Sequence, residues 1–400
     1  MPPATPSKML SVADAVEQLV SSAKPTTAVE SVAVLKALGR TLATDIRAPI
    51  DVPPADNSAM DGYAFCYAEA AANDFQLPLS QRIAAGSAPQ SLQPNTAARI
   101  FTGAEIPSGA DTVAMQENCR EQNNVVWLDS TVKTSANVRP RGQDIQAGQS
   151  ILPAGTRLRA QEMGLLSSLG IAEVSVFKPL RVAIFSTGDE LVEPGAELQP
   201  GQIYNSNRAT LTGLIQSLGM QVIDLGGVPD QLDATAAILQ QAAADGDIVF
   251  SAGGVSVGEE DYVKTAVAQV GSLDFWKVAI KPGKPLAFGQ VGGKPFIGLP
   301  GNPASVFVTF MILARPFLLA SQGRADVQPK WMKAQALFAK GGESREVYLR
   351  ARLLDAGVEV YPNQSSGVLA SACWGDVFVR QASGQSIEVG DLVDVLPFVL

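Results

Sequence analysis

From Leu180 to about Gly323, short apolar runs with strand character alternate with helical patterns, and this alternation limits the fold more than any other feature. The runs Arg181 to Phe185, Gln221 to Leu225 and Asp247 to Phe250 are separated by helical stretches near Ala209 to Leu218 and Ala234 to Ala244. Such a βαβα rhythm predicts an α/β unit, a doubly wound sheet with helices on both faces. Loops leaving the carboxyl ends of its strands share one edge, and ligands bind at that edge.

Three of these loops carry acids: Thr187-Gly188-Asp189-Glu190, Gly226-Gly227-Val228-Pro229-Asp230, and the glycine-rich segment from Ala252 through Glu259-Glu260-Asp261. Glu190, Asp230 and Asp261 therefore make a candidate oxygen-only site suited to Mg2+. Singly, each acid reads equally well as a solvated loop residue or a helix cap. Their common position after strands of one sheet is what joins them.

In Gly253-Gly254-Val255-Ser256, glycines meet a helix start, so backbone N–H groups can face an anion. The segment is neither a Walker A loop, since no GK[ST] follows, nor GxGxxG, and a tight turn would also require its glycines. Next, Lys277, Lys281 and Lys284 fall within eight residues, with Pro282, Gly283 and Pro285 shaping the turn. A cation about 4 Å from an anion is worth roughly 4 kcal/mol at an effective dielectric of 20. Such a cluster outweighs the net charge of −9 locally, though a solvated basic turn has the same composition. Pro300, Pro303 and Ser305 precede an apolar helix, which puts Ser305 at another anion seat or makes it an ordinary cap.

Around this unit the texture differs. Ser11 with Asp14 predicts a helix start, and a second helix is expected over Ala28 to Leu38. Proline-rich and strand-like sequence from Ala48 to about residue 148 predicts an inserted β-rich module, with Asp61 in a polar loop. Period-two alternation in the last 75 or so residues predicts a C-terminal β-barrel or sandwich.

Composition excludes several chemistries. The chain has no histidine, which removes imidazole bases, Ser-His-Asp sites and HExxH zinc sites. Its three cysteines, Cys66, Cys119 and Cys373, are far apart and form no CxxC pair. The negative net charge supplies no global field for nucleic acid or an anionic membrane. The longest apolar run, Val306 to Ala314, is short of a bilayer span, so a cytoplasmic, soluble chain is expected.

The stretches PPADNSAMDGYA, FTGAEIPSGADTV, VRPRGQDI, STGDEL, SAGGVSVGEEDY, KPGKPLAFG and GLPGNPAS, in this order, closely resemble the molybdopterin molybdenumtransferase family of MoeA and the gephyrin E-domain. The resemblance runs from about residue 11 to the end. It implies four parts: an extended domain from residues 1–48 and 149–179, the inserted module 49–148, a doubly wound molybdopterin-binding unit 180–325 and a β-barrel 326–400. It also implies a homodimer whose active site lies between the doubly wound unit of one subunit and the module of the other. Family members join molybdenum from molybdate to adenylylated molybdopterin, using a divalent metal, usually Mg2+, and release AMP. Transient contacts with a molybdopterin adenylyltransferase and acceptor apo-molybdoenzymes follow from that role.

Residue by residue, the resemblance implies that Asp61, Thr102, Glu190, Asp230 and Asp261 are essential. It implies a molybdate pocket of Lys281, Lys284, Ser305, Arg350 and Ser366, with Lys277 nearby and Pro300 and Pro303 shaping the loop. Two departures stand out: Ala252 replaces a common Ser or Thr, and Asn363 to Ser366 replace a segment where some relatives have histidines. Two rival readings are a molybdopterin adenylyltransferase-like enzyme or nucleotide hydrolase on the same α/β unit, and a non-catalytic molybdopterin carrier or scaffold. The DNSAMDGYA module and C-terminal barrel argue against the first, and the lack of a long linker or fused second domain against the second.

Overall fold

A computed structural model of the chain describes residues 9–255 and 262–398. Its central sheet comprises β1 (Arg181–Thr187), β2 (Gln221–Val228), β3 (Ile248–Ala252), β4 (Gly271–Lys277), β5 (Pro285–Val291) and β6 (Lys294–Leu299). Their spatial order is β2-β1-β3-β6-β5-β4. The first four in that order run parallel, and β5 is antiparallel to both its neighbours. Helices α1 (Ser206–Ser217) and α2 (Leu232–Asp245) lie in the first two crossovers, and α3 (Tyr262–Val270) leads towards β4.

The alternation within β1 explains the double winding. Val182 and Ile184 join one core with Leu211 and Ile215 of α1, whereas Ala183 and Phe185 join another with Leu239 of α2 and Val263 of α3. A strand buried on both faces reads as a continuous apolar run, as here. The antiparallel end is made by a hairpin whose two-residue turn, Gly292-Gly293, has positive φ at both positions, 55° and 75°. That turn matches the twist of paired strands and requires residues free of a Cβ.

The apolar run expected to stop before Arg315-Pro316 continues instead. An α-helix over Pro303–Thr309 widens into a π-helix over Phe310–Ala314 and resumes over Arg315–Ser321. Pro316 has no N–H to bond the carbonyl of Ile312 and its ring crowds that carbonyl, so the ladder widens locally instead of breaking. This stretch has a mean hydropathy of 1.8 over its most apolar window, 83% of which is buried inside the protein. Phe310 and Phe317 are fully enclosed, each contributing about 1.5–3 kcal/mol by burial.

The N-terminal helix Val12–Ser22 is capped as expected, with Ser11 Oγ accepting from the Asp14 N–H at 3.1 Å. It packs Ala15 and Leu19 onto the first core of the doubly wound unit. The second expected helix does not form. Val29–Ala33 is a strand antiparallel to Glu173–Phe177, followed by a 3-10 turn at Val34–Lys36. Pairing with a distant strand overrides the local helical pattern.

A six-stranded sheet between residues 62 and 127 forms the module, with Tyr63 and Phe65 facing one core and Ala64 another. At the other end, strands Glu346–Leu354, Val377–Gln381, Leu392–Pro397 and Met332–Gln335 form a sheet around Val347, Leu349, Val379 and Val395. A bridge between Ala336 and Val358 links its two ends. The doubly wound unit contributes Ile280–Lys281 to this sheet, parallel to Glu346–Val347. The lysine-rich turn is thereby clamped between two sheets.

Candidate active site

The parallel strands deliver their loops to a cavity of about 740 Å3. Thr187, Gly188 and Glu190 follow β1, Asp230 follows β2, Ala252 to Val255 follow β3, and Pro300, Gly301, Asn302, Pro303 and Ser305 follow β6; all line it. Lys281, Lys284 and Arg345 line it from the clamped turn and the C-terminal sheet, with Gln364, Ser365 and Ser366 alongside. By strand order the acids belong to the β1–β2 side of the edge and the lysine turn leads into β5. The cavity is thus anionic at one end and cationic at the other.

The acid loops are tied together, since Asp189 Oδ1 accepts from the Asp230 N–H at 3.1 Å. Gly253 and Gly254 hold φ of 95° and 65°. A Cβ on Gly254 would lie 2.3 Å from Val263 Cγ2 and 2.6 Å from Thr187 Oγ1, so the chain there passes where only glycine fits. Thr187 Oγ1 and Asn207 Oδ1 are buried, have no hydrogen-bond partner among the described residues and belong to cavity-lining residues. Asn207 is held in place, because its Nδ2 donates to Gly301 O at 2.6 Å. Orphaned acceptors and donors in a polar cavity fit a ligand that supplies their partners.

At the cationic end, Lys281 Nζ donates to Glu343 Oε1 at 2.8 Å, and Lys340 stands 3.6 Å from the same oxygen. The Lys281 hydrogen bond holds the Glu343 carboxyl below its usual range. Any anion that is to reach Lys281 would have to compete with Glu343 for it. Arg345 is fixed by donation to Ile280 O at 2.9 Å. Ser305 is buried near the start of the apolar helix, and the Ala304 N–H donates to Ser366 O at 2.9 Å, docking the C-terminal loop on that helix.

Arg350 sits behind this wall, 1% exposed. Its Nε donates to Ser371 Oγ at 2.9 Å and an Nη to Ser365 O at 3.0 Å, while Gln364 bonds its backbone at both N–H and C=O. Burial pushes its guanidinium down to about 10, which leaves it charged at neutral pH. These bonds make it a support for the Gln364–Ser366 loop.

Lys277 lies in β4 and is not among the lining residues. Asp61 and Thr102 are brought together, but on the module and outside this cavity: the Thr102 N–H and Oγ1 both donate to Asp61 Oδ1 at 2.8 Å. These bonds hold the Asp61 carboxyl below its ordinary 3.8. Arg99 stacks beside them, 4.7 Å from the Phe101 ring. Ser256 and Asp261 lie outside the described residues.

Asn205, Asn207, Tyr204, Arg345 and Gln364 line the cavity without having been singled out from sequence. Asn205 and Asn207 flank a helix start, where asparagine ordinarily signals only a cap, and Asn205 does accept from the Arg208 N–H at 3.2 Å. As for a metal, no cluster of three His, Cys, Asp or Glu occurs among the described residues. Glu190 and Asp230 on one cavity fit Mg2+, which is commonly held by one or two carboxylates together with substrate phosphates.

Comparison with known proteins matches the whole of this frame. Residues 10–170 match the MoeA N-terminal region (domain I and II), 183–320 the probable molybdopterin binding domain, and 334–398 the MoeA C-terminal region (domain IV). A molybdopterin molybdenumtransferase of Haemophilus influenzae is 41% identical over 331 residues, covering 81% of this chain and 80% of that protein. The chain belongs to the molybdopterin molybdenumtransferase family. Its Nostoc relative is 40% identical over 356 residues, covering 85% of this chain and 82% of the relative. A solved MoeA structure from Pyrococcus horikoshii superposes with a TM-score of 0.86 at 27% identity, covering 98% of this chain and all of that one. The three matched regions of the family therefore follow one another in order along this chain.

Proposed function

We propose that this chain is a cytoplasmic molybdenumtransferase that inserts molybdenum from molybdate into adenylylated molybdopterin and releases AMP. The observation that carries the reading is one cavity lined by the acids Glu190 and Asp230 from the β1–β2 side and by Lys281, Lys284 and Arg345 from the β5 side, with Gly253-Gly254 and Ser305 after the adjacent strands β3 and β6 between them. A pyrophosphate link and a tetrahedral oxyanion need these two environments side by side.

In this reading the Gly253-Gly254 segment faces the phosphates, Ser256, outside the described residues, keeps the phosphate-binding role its motif implies, and Thr187 and Asn207 complete their hydrogen bonds on the substrate. Glu190 and Asp230, with Asp261 from outside the described residues, would hold Mg2+, which would supply charge neutralisation at the pyrophosphate. Lys281, Lys284, Arg345 and Ser305 bind the molybdate oxygens by charge-assisted hydrogen bonds, and Lys281 leaves Glu343 to do so. Pro300 and Pro303 hold the loop that presents Ser305, and Arg350 holds the loop that presents Ser366. Lys277 adds positive charge from β4 without lining the cavity.

The exposed Asp61–Thr102 pair is supplied to the cavity of a second copy in a homodimer. Leu35 and Leu38, 85% and 66% exposed, and Ile203 and Tyr204 at the cavity rim, 55% and 44%, are apolar surface suited to being covered in that dimer. An adenylyltransferase upstream and apo-molybdoenzymes downstream are the transient protein partners.

The test is AMP release from adenylylated molybdopterin with Mg2+, with and without molybdate, beside reconstitution of an apo-molybdoenzyme. Molybdate-dependent release with reconstitution is expected, and Asp230→Asn should suppress turnover more than molybdopterin binding. ATP consumption would favour an adenylyltransferase, and binding without release a carrier.

A further inference from the structure

A second cavity, about 500 Å3, opens where the 155–159 turn, the end of the apolar helix and the last strand meet. Arg315 and Arg324 line it together with Arg157. The Nε atoms of Arg315 and Arg324 are buried and have no hydrogen-bond partner among the described residues. Among the described residues Arg315 makes no side-chain hydrogen bond or ion pair, and Arg324 only a 3.4 Å contact to Gly39 O.

Asp326 also lines the cavity and attracts Arg315, but its carboxyl pairs with Lys330 at 2.9 Å, and Glu162 pairs with Arg159 at 2.5 Å. Burial and the neighbouring guanidinium charges push Arg324 down to about 10, with Arg315 lowered by burial and by Arg157. Holding the partly buried Arg315 and Arg324 guanidiniums near one another, each with an Nε donor unmet among the described residues, costs free energy that a bound anion would offset. Moreover, Arg315 follows the π-helical turn directly, and departures of this kind recur at functional sites.

We infer that this cavity is a second anion site that takes a phosphate group, free or carried on a small organic molecule. Planar guanidinium forks match the oxygens of a phosphate dianion. The volume exceeds what a lone ion fills, and Met311, Leu319 and Leu396 offer an apolar seat for an organic body. The site draws on none of the residues assigned to the two-ended cavity, so it stands or falls separately from the proposed reaction.

The test is calorimetric titration of the full chain with phenyl phosphate and with inorganic phosphate, at constant ionic strength balanced by chloride. Because lysines of the first cavity also attract oxyanions, the Lys281→Gln/Lys284→Gln variant isolates the second site. Saturable one-to-one binding to this variant is expected. Removing each guanidinium, by Arg315→Gln or Arg324→Gln, should weaken it about tenfold, and the double change should abolish it. Phenyl phosphate binding more tightly than inorganic phosphate would identify an organic ligand, and equal binding a free anion. Absence of binding to the lysine variant would overturn the inference. So would dissociation of an oligomer on Arg315→Gln/Arg324→Gln in a protein that binds no phosphate, since an acid of a second copy would then be the counter-ion.

Discussion

Arg350 and the pair Arg315 and Arg324 turn positive charge inward under opposite terms. Arg350 is enclosed, and Ser371 and Ser365 accept from its guanidinium at 2.9 and 3.0 Å. Arg315 and Arg324 line a cavity, each with a buried Nε that lacks an acceptor among the described residues. A satisfied buried cation is part of the scaffold, because its removal strands the groups that bonded it. An unsatisfied one is a cost to the empty protein that a ligand can repay.

The largest expected effect tests this contrast from the scaffold side. Arg350→Met should destabilise the protein by about 2–4 kcal/mol in urea unfolding and weaken molybdate binding through the Gln364–Ser366 loop. The double change at Arg315 and Arg324 should instead be neutral or stabilising without phosphate. A loss of similar size in both would erase the distinction.

The lysine end offers a finer comparison, because its cation has a partner that the substrate must displace. Lys281→Gln should weaken molybdate binding about tenfold, whereas Glu343→Gln should tighten it by up to about fivefold, the worth of an exposed ion pair. Equilibrium binding of molybdate to the two variants measures both. Weaker binding in Glu343→Gln would show that Glu343 positions Lys281 instead of competing for it.

The smallest effect concerns the exposed pair on the module. Thr102→Val removes the hydroxyl donor to Asp61, and the carboxyl should rise towards its ordinary 3.8, read by carbon NMR of the side chain. A carboxyl with a depressed folded value contributes stability that is present above the unfolded value and lost as the pH falls through the folded one. The variant should therefore lose less stability than the parent on acidification below about 3.8. An unchanged titration would assign the depression to the Thr102 N–H and Arg99 alone.

Much of the first cavity was legible because its parts are local. Gly188, Gly253 and Gly254 follow apolar strands directly, so the glycine-acid loops announced both their place at the sheet edge and their chemistry. Even the antiparallel hairpin has a local signal in Gly292-Gly293. Lys277 shows the limit, since its neighbours in sequence, Lys281 and Lys284, line the cavity while β4 carries Lys277 away from it. Asn207 and Arg345 look like a helix-start residue and a solvated arginine until Gly301 and Ile280 hold them against the cavity.

The sequence by itself determined the βαβα order, the strand ends that carry acids and glycines, and the exclusion of imidazole chemistry, since each depends on residues within a few positions of one another. Only the tertiary structure decided that Val29–Ala33 pairs as a strand with residues 173–177, that Arg350 supports a loop from behind, and that arginines from the 155–159 turn and the distant 315–324 segment meet. Those outcomes depend on which surfaces lose water together, and side-chain periodicity along one segment carries no record of the segment that will cover it.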